Sequence, residues 1–359
     1  MPDILGKNLI SIDIARAVAA LGVFAFHQRT GLLMDKYIGI SWFNFIDTFG
    51  AYYAVPLFFL ISGYCIHLSN IKYIKGEQKL PLKEYFKRRF SRIYPAYLVA
   101  ILLGILSYHI VYHTNHISVK SLFTHLFLLQ SFSDTYFLSI NLTLWTISVE
   151  VALYILYPLF YSVRLKYSLK YALLLAFIAS CISITYYINK NPLTLPDKYF
   201  VFNLWFAWCV GAYIADKKSM NEGDLKKPVY KIIYILILLG VVLLKVFYQS
   251  KLEIITYQFN ILLWTAPLIF LLNKEEWFRR KQSIPIKALT YIGLSSYSLY
   301  LFHMPLITLK NYYAHELLPV QFQLTGMIAG ILIILLICWF SYLYIEKPFM
   351  RKDSALKNV

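Results

Sequence analysis

Asp13, Arg16 and His27 are residues that hold anions or move protons, yet they sit in the apolar run "SIDIARAVAALGVFAFH", Ser11 to His27. At 100° per residue, Arg16 and His27 lie about 20° apart around a helix and ~16 Å apart along it. Asp13 falls within about 60° of Arg16, so the three share one stripe. An ionisable side chain inside a span costs roughly 2.5 kcal/mol or more unless it meets a partner or water. Two readings stand here. One is an Asp–Arg pair snorkelling at the interface with a hydrogen-bonded structural histidine; the other is a base with its supports.

Two further stripes carry similar groups. In "NLTLWTISVEVALYILYPL", Asn141 to Leu159, the residues Thr143, Thr146, Glu150, Tyr154 and Tyr157 follow helical spacing, and Glu150 is the only acid. It is either an interior hydrogen-bonding member of a bundle or a catalytic partner for a base such as His27. In "SSYSLYLFHMPL", Ser295 to Leu306, the residues Ser296, Tyr300 and His303 share a face, and such a network could equally well hold helices together. A fourth feature is basic. "KEYFKRRFSRIYPAY", Lys83 to Tyr97, reads as a loop in which Lys87, Arg88, Arg89 and Arg92 fall within six residues, before Pro95 as a first-turn residue of the next span. Paired guanidinium groups bind phosphate in bidentate fashion, but basic loops also orient membrane proteins.

The elements that must position these groups are transmembrane helices. Of the 359 residues, 59% are hydrophobic and 15% charged, whereas a soluble domain carries roughly 25% charged residues. Apolar runs of bilayer-spanning length recur along the chain. Ten spans are expected, at 9–29, 47–69, 94–113, 141–162, 169–189, 199–215, 230–249, 255–272, 289–310 and 320–345. With the N-terminus inside, the cytoplasmic segments and adjoining span ends hold 26 Lys and Arg against 7 on the other side, which puts both termini in the cytoplasm. "SLFTHLFLLQSF", Ser121 to Phe132, is too short to cross and too apolar for an open loop. A re-entrant or interfacial segment near 118–132 is expected on the outer side.

Several classes fall away. The net charge of +17 sits in short loops rather than in an aromatic-basic binding module, so a nucleic-acid partner is not expected. The first run is interrupted by Asp13 and Arg16 and lacks a small-residue cleavage site, unlike a signal peptide. Cys65, Cys181, Cys209 and Cys338 fall inside spans with neither metal-ligand nor disulfide-framework spacing. No internal repeat is evident, and the chain ends 14 residues past the last span, so no soluble domain is expected.

At these residues the chain resembles the acyltransferase-3 family of membrane O-acyltransferases. Arg16, ten residues and His27 match the family's first span. "VPLFFLISGY", Val55 to Tyr64, resembles its second, and "RRFSRIYPAY", Arg88 to Tyr97, its Arg-x-x-Arg loop. "LWTISVEVALYILYPL", Leu144 to Leu159, is similar to its Trp-Ser-x-Ser-x-Glu stretch, and "YSLYLFHMPL", Tyr297 to Leu306, to its ninth-span signature. Thr146 stands where the family often has Ser, and "NLTLW" replaces a Pro-containing approach to the Trp.

The resemblance implies a single transmembrane domain over 1–359, without the hydrolase domain fused to some members. It implies transfer of an acyl group, usually acetyl, from cytoplasmic acyl-CoA to a hydroxyl of a cell-surface glycan in a bacterial inner membrane. His27 is then the general base and Glu150 its partner. Arg89 and Arg92 hold the CoA phosphates, with Arg16 on the donor's path. Asp13, Trp145, Ser148, Tyr300 and His303 line or support the substrate path. The donor acetyl-CoA is a substrate; no cofactor is bound permanently and no metal is expected. The competing class is a transporter or flippase, since the same polar residues build ion routes, but such proteins often show paired repeats. Among acceptors, lipopolysaccharide O-antigen ranks slightly ahead of capsule, exopolysaccharide, peptidoglycan or a small glycoside.

Overall fold

A computed structural model describes residues 9–39, 41–113, 117–220, 252–317 and 323–350, and among these every regular element is helical. The longer helices are α1 (Ile10–His27), α2 (Val55–Lys75), α3 (Leu82–Tyr112), α4 (Val119–Leu126), α5 (Trp145–Lys166) and α6 (Leu169–Ile188). They continue with α7 (Val201–Met220), α8 (Glu253–Leu263), α9 (Thr265–Asn273), α10 (Ile284–Leu294), α11 (Ser296–Leu317) and α12 (Gln323–Ser341).

Among the described residues, seven stretches are long and apolar enough to cross a membrane: α1, Ser41–Lys75, α3, α5, α6, Glu253–Asn273 and Thr325–Phe349. An eighth is the pair α10 and α11, bent by 72° at the break between them. These eight answer to eight of the ten expected spans. The expected span 199–215 is helix α7, which falls outside the seven and carries Asp216, Lys217 and Lys218 in its last turns. The expected span 230–249 lies outside the described residues. In the 118–132 segment, α4 has eight residues, too few to cross, and its N-cap Ser118 accepts a hydrogen bond from Ser121 N at 3.1 Å.

One expectation is corrected. The segment Lys83 to Tyr97 is no loop: α3 begins at Leu82, directly after Pro81, and runs through Pro95. Proline at a helix start is favourable because its missing N–H has no intrahelical partner there, whereas Pro95 deletes one interior bond. Neighbouring helices make an interior proline tolerable in a span. The basic residues therefore sit on the first turns of a helix rather than on flexible chain.

The chain divides into two compact units. Unit 1 comprises Met1–Ala19, Thr48–Leu80 and Val149–Gly293. Its central feature is the close approach of α2 and α7. A Cβ on Gly63 would lie 2.0 Å from the Trp208 carbonyl oxygen, and one on Gly211 would lie 2.2 Å from that of Leu60. Only glycine lets the two backbones touch, the small-residue packing that replaces hydrophobic drive inside lipid. Tyr64, Tyr157, Trp205 and Trp208 are fully buried around this seam. The start of α1 is capped from a distance: Glu275 accepts from Ile10 N at 3.1 Å and Ser11 N at 2.9 Å, which satisfies two of the four donors a helix start leaves open.

Unit 2 comprises Ala20–Asp47, Pro81–Ser148 and Leu294–Val359. Here α11 packs on α3 and α12, and Tyr297 donates its hydroxyl hydrogen to the Ile93 carbonyl at 2.9 Å. After α12 the helix loosens into a π-type turn, Tyr342–Glu346, where buried Glu346 accepts from Ser298 Oγ at 3.0 Å. Leu332, Leu336 and Phe340 of α12 point outward, as do Phe177 and Ile182 of α6 in unit 1. A bilayer solvates such side chains at no cost, and the helix satisfies its own backbone.

Candidate active site

In unit 2, α1 and α11 bring two imidazoles together. His27 closes α1, and His303 lies two turns into α11 and is buried. His303 Nε2 is 3.0 Å from His27 Nδ1, with ring centroids 5.0 Å apart. The neighbours fix where the protons must be. His303 Nδ1 faces the carbonyl oxygens of Tyr300 at 2.8 Å and Leu299 at 3.1 Å, which only accept, so this nitrogen carries its hydrogen. In the neutral ring, His303 Nε2 is then a bare acceptor. His27 Nδ1 faces that acceptor and also the Val23 carbonyl oxygen at 3.0 Å, so it too must donate. The lone pair of His27 falls on Nε2, which has no hydrogen-bond partner among the described residues. A ring held on one side and basic on the other is set up to take a proton.

The helix that presents His303 is pinned through the chain preceding α5. Asn141 Nδ2 donates to the Leu301 carbonyl at 3.1 Å. Its Oδ1 accepts from Thr143 N at 3.1 Å and Thr143 Oγ1 at 2.9 Å, an Asx turn that supplies locally what a proline would supply by stiffness. Thr146 Oγ1 donates to the Tyr300 hydroxyl at 2.9 Å. The "NLTLW" departure and Thr146 thus both act in holding α11. Trp145 stacks on Phe137 at 5.2 Å, and Ser148 bonds to the Leu128 carbonyl and Ser131 Oγ. In this geometry these two fasten the preceding loop to α5.

On α3, Arg88 and Arg89 are adjacent and Arg92 follows one turn later, and the Arg89 guanidinium lies 5.6 Å from the centre of the Tyr85 ring. Such a cluster can meet an anion at a membrane surface.

In unit 1, Glu150 accepts from Ser62 Oγ at 3.0 Å and from the Tyr154 hydroxyl, so its carboxylate is held by two hydroxyls rather than by a cation. Arg16 lies 3.5 Å from Asp13, as the stripe anticipates, and also donates to Cys65 Sγ at 3.3 Å.

Sequence reasoning missed a buried cluster in unit 1. His67 Nε2 is 2.9 Å from Asp216 Oδ2, and the Tyr157 hydroxyl is 3.2 Å from His67 Nδ1. Arg164 meets the same carboxylate twice, at 2.8 and 3.2 Å. His67 and Asp216 have no exposed surface. The signal available was a histidine and an aspartate each closing an apolar span, but they are 149 residues apart and nothing local pairs them.

Comparison with known proteins converges on one family. The family described as "Acyltransferase domain" matches residues 9–343. The chain is 26% identical to "O-acetyltransferase OatA" of Staphylococcus aureus over 369 residues, covering 96% of this chain and 58% of that protein. It is 26% identical to "Peptidoglycan O-acetyltransferase OatA" of Listeria monocytogenes over 378 residues, covering 98% and 57%. The chain therefore spans somewhat more than half the length of these relatives. No solved structure matches it.

Proposed function

This chain is an integral membrane protein that belongs to the acyltransferase domain family, and from that premise we propose that it transfers an acyl group, acetyl in the first instance, from acyl-CoA to a hydroxyl of a cell-envelope glycan. The Listeria monocytogenes relative is named as a peptidoglycan O-acetyltransferase, so a peptidoglycan sugar is the acceptor to test first, and the sequence-based preference for O-antigen finds no support among the relatives.

The observation that carries this reading is the His27–His303 pair with its unengaged Nε2. An alcohol is a weak nucleophile near neutral pH. His27 Nε2 takes the hydroxyl proton as the oxygen attacks the thioester carbonyl. The C–O bond forms, the C–S bond breaks, and the proton passes on to the departing thiolate. His303 supports the cation that forms on His27 by offering Nε2 to its Nδ1–H. This is the orienting role that sequence reasoning assigned to Glu150. Glu150 enters the proposal as a second essential group, tested by its own substitution to Gln.

Arg89 and Arg92 bind the CoA phosphates at the start of α3, and Arg16, paired with Asp13, lies on the donor's path. The 26-to-7 distribution of Lys and Arg supports cytoplasmic termini, which puts the start of α3 inside and the end of α1 outside. On that orientation the thioester end of the donor must reach from the inner face to His27.

The test is acyl transfer from labelled acetyl-CoA to a purified glycan by the protein in proteoliposomes, together with mass spectrometry of cell-wall glycans with and without the gene. A labile acetyl mass that depends on the gene and is lost with His27→Ala is the expected result. Acetylation that persists at a normal rate in His27→Ala would remove the proposed base.

A further inference from the structure

We propose that the cleft of about 530 Å³ in unit 2 is the binding site for the acceptor, and that the acceptor segment it takes is an uncharged carbohydrate. This rests on the transferase reading above and adds a location and a ligand class to it.

The cleft lies between the C-terminal half of α3, the chain on either side of α4, and α11. Among the described residues its lining is rich in hydroxyls, with Asn141 adding an amide, and includes no acidic or basic side chain. A phosphate, a carboxylate or an ammonium would find no counter-charge there. A sugar would find what it needs, which is many neutral donors and acceptors with aromatic faces between them. Among the described residues, the hydroxyls of Tyr108, Tyr112, Thr135 and Tyr136 have no hydrogen-bond partner, and all four open on the cleft. The Tyr108 and Tyr112 rings lie 4.7 Å apart and form an aromatic wall. The volume is in the range of small-molecule pockets.

Position and backbone point the same way. Met304 and Pro305, which line the cleft, directly follow His303 in α11. Asn141 is both a lining residue and the anchor of α11 at Leu301. A ligand in the cleft therefore touches the elements that hold the imidazole pair. Next to it, Ile140 adopts a φ of +63°, a left-handed conformation that a β-branched side chain rarely accepts. Its carbonyl oxygen sits where a Cβ on Gly104 would come within 2.9 Å. Backbone strain of this kind persists where the surroundings impose it, commonly at ligand sites. With both termini inside, this end of α3 and α11 faces outward, where a cell-surface glycan is.

The test uses the full chain in detergent and a neutral probe, chitotetraose, followed by tryptophan fluorescence or calorimetry, with acetyl-CoA binding measured in parallel. The triple variant Tyr108→Phe, Thr135→Val, Tyr136→Phe removes three hydroxyls while keeping shape. Each lost hydrogen bond is a modest effect, and three together should weaken saccharide binding roughly 10- to 100-fold. In turnover, KM for the glycan should rise while kcat at saturating glycan and the affinity for acetyl-CoA stay close to wild type. A filling variant, Ser107→Phe, gives an independent reading and should block saccharide binding outright. Unchanged saccharide affinity in both variants, or a wild-type protein that acetylates glycan without binding chitotetraose, overturns the cleft assignment and leaves the transferase reading intact. A protein that binds chitotetraose through these residues but turns over no acyl-CoA supports the cleft and overturns the transferase reading.

Discussion

The molecule places two histidines in two opposite situations. His67 in unit 1 is wholly buried with both ring nitrogens engaged, Nε2 by Asp216 and Nδ1 by the Tyr157 hydroxyl. His27 in unit 2 has one nitrogen engaged and one not, and its partner is a second imidazole rather than a carboxylate. A carboxylate beside an imidazole is the arrangement usually associated with catalysis. Yet His67 has no lone pair to offer, because both of its nitrogens are saturated. The difference lies in access: a base needs an empty side, and burial with full satisfaction makes a tie between helices. Arg164, Asp216, His67 and Tyr157 join α2, α5 and α7 in this way.

The sharpest way to break the comparison is His27→Ala, which should lower acyl transfer by about 100- to 10,000-fold with expression and acetyl-CoA binding retained. His67→Ala should instead lower the yield of folded protein, with the surviving molecules turning over normally. If the two variants exchange these outcomes, the assignment of base and tie is inverted.

Next in size is Asp216→Asn. Arg164 would then keep its charge in a largely buried site without its carboxylate, and breaking such a pair costs about 3–5 kcal/mol. A large drop in the detergent melting temperature, with no change in kcat, is the expected outcome. A full-stability variant with impaired turnover would move Asp216 from tie to active site.

His303 offers a finer cut. His303→Gln keeps an acceptor for His27 Nδ1–H, whereas His303→Ala removes it. One hydrogen bond to the neutral ring is worth roughly 3- to 10-fold in rate. The Gln variant should keep most of the activity, and the Ala variant should also displace the pH–rate profile, which a purely structural role would leave in place.

The smallest effect concerns Asp197, a carboxylate tied down like Asp216 but outside the spans. Burial pushes its pKa up, but Lys190 at 2.8 Å and the Thr194 hydroxyl and N–H outweigh it and hold the group below its usual value. The stability it contributes is present above the unfolded value of about 3.9 and is lost as pH falls through the folded one. Asp197→Asn should therefore reduce the melting temperature slightly at neutral pH, and the gap to wild type should close on acidification toward pH 3. A gap independent of pH would show that shape, not charge, is what Asp197 supplies.

Much of this was legible in the chain because lipid makes polar residues conspicuous. Asp13, Arg16 and His27 stand out in an apolar run, and Tyr300 and His303 share a helical face, so candidates could be named from spacing alone. Partners could not. His27 and His303 are 276 residues apart, and sequence reasoning paired His27 with Glu150 instead. The basic stretch misled for a local reason: Pro95 looked like a helix start, but Pro81 holds that position and α3 absorbs the second proline. Asn141 was noticed only as a departure, although its side chain makes the turn and the anchor together.

The break between α10 and α11 leaves a helix beginning at Ser296, inside the protein rather than at its edge. A helix start carries the equivalent of roughly half a positive elementary charge, fixed by the backbone. Glu346 lies against this first turn through Ser298, so a buried carboxyl group faces a positive pole that no change of pH can discharge. Counter-ions screen exposed charges and hardly reach a buried couple. Raising ionic strength should therefore loosen the grip of the arginines at the start of α3 on an anionic ligand, while the field around the beginning of the His303 helix stays as it is.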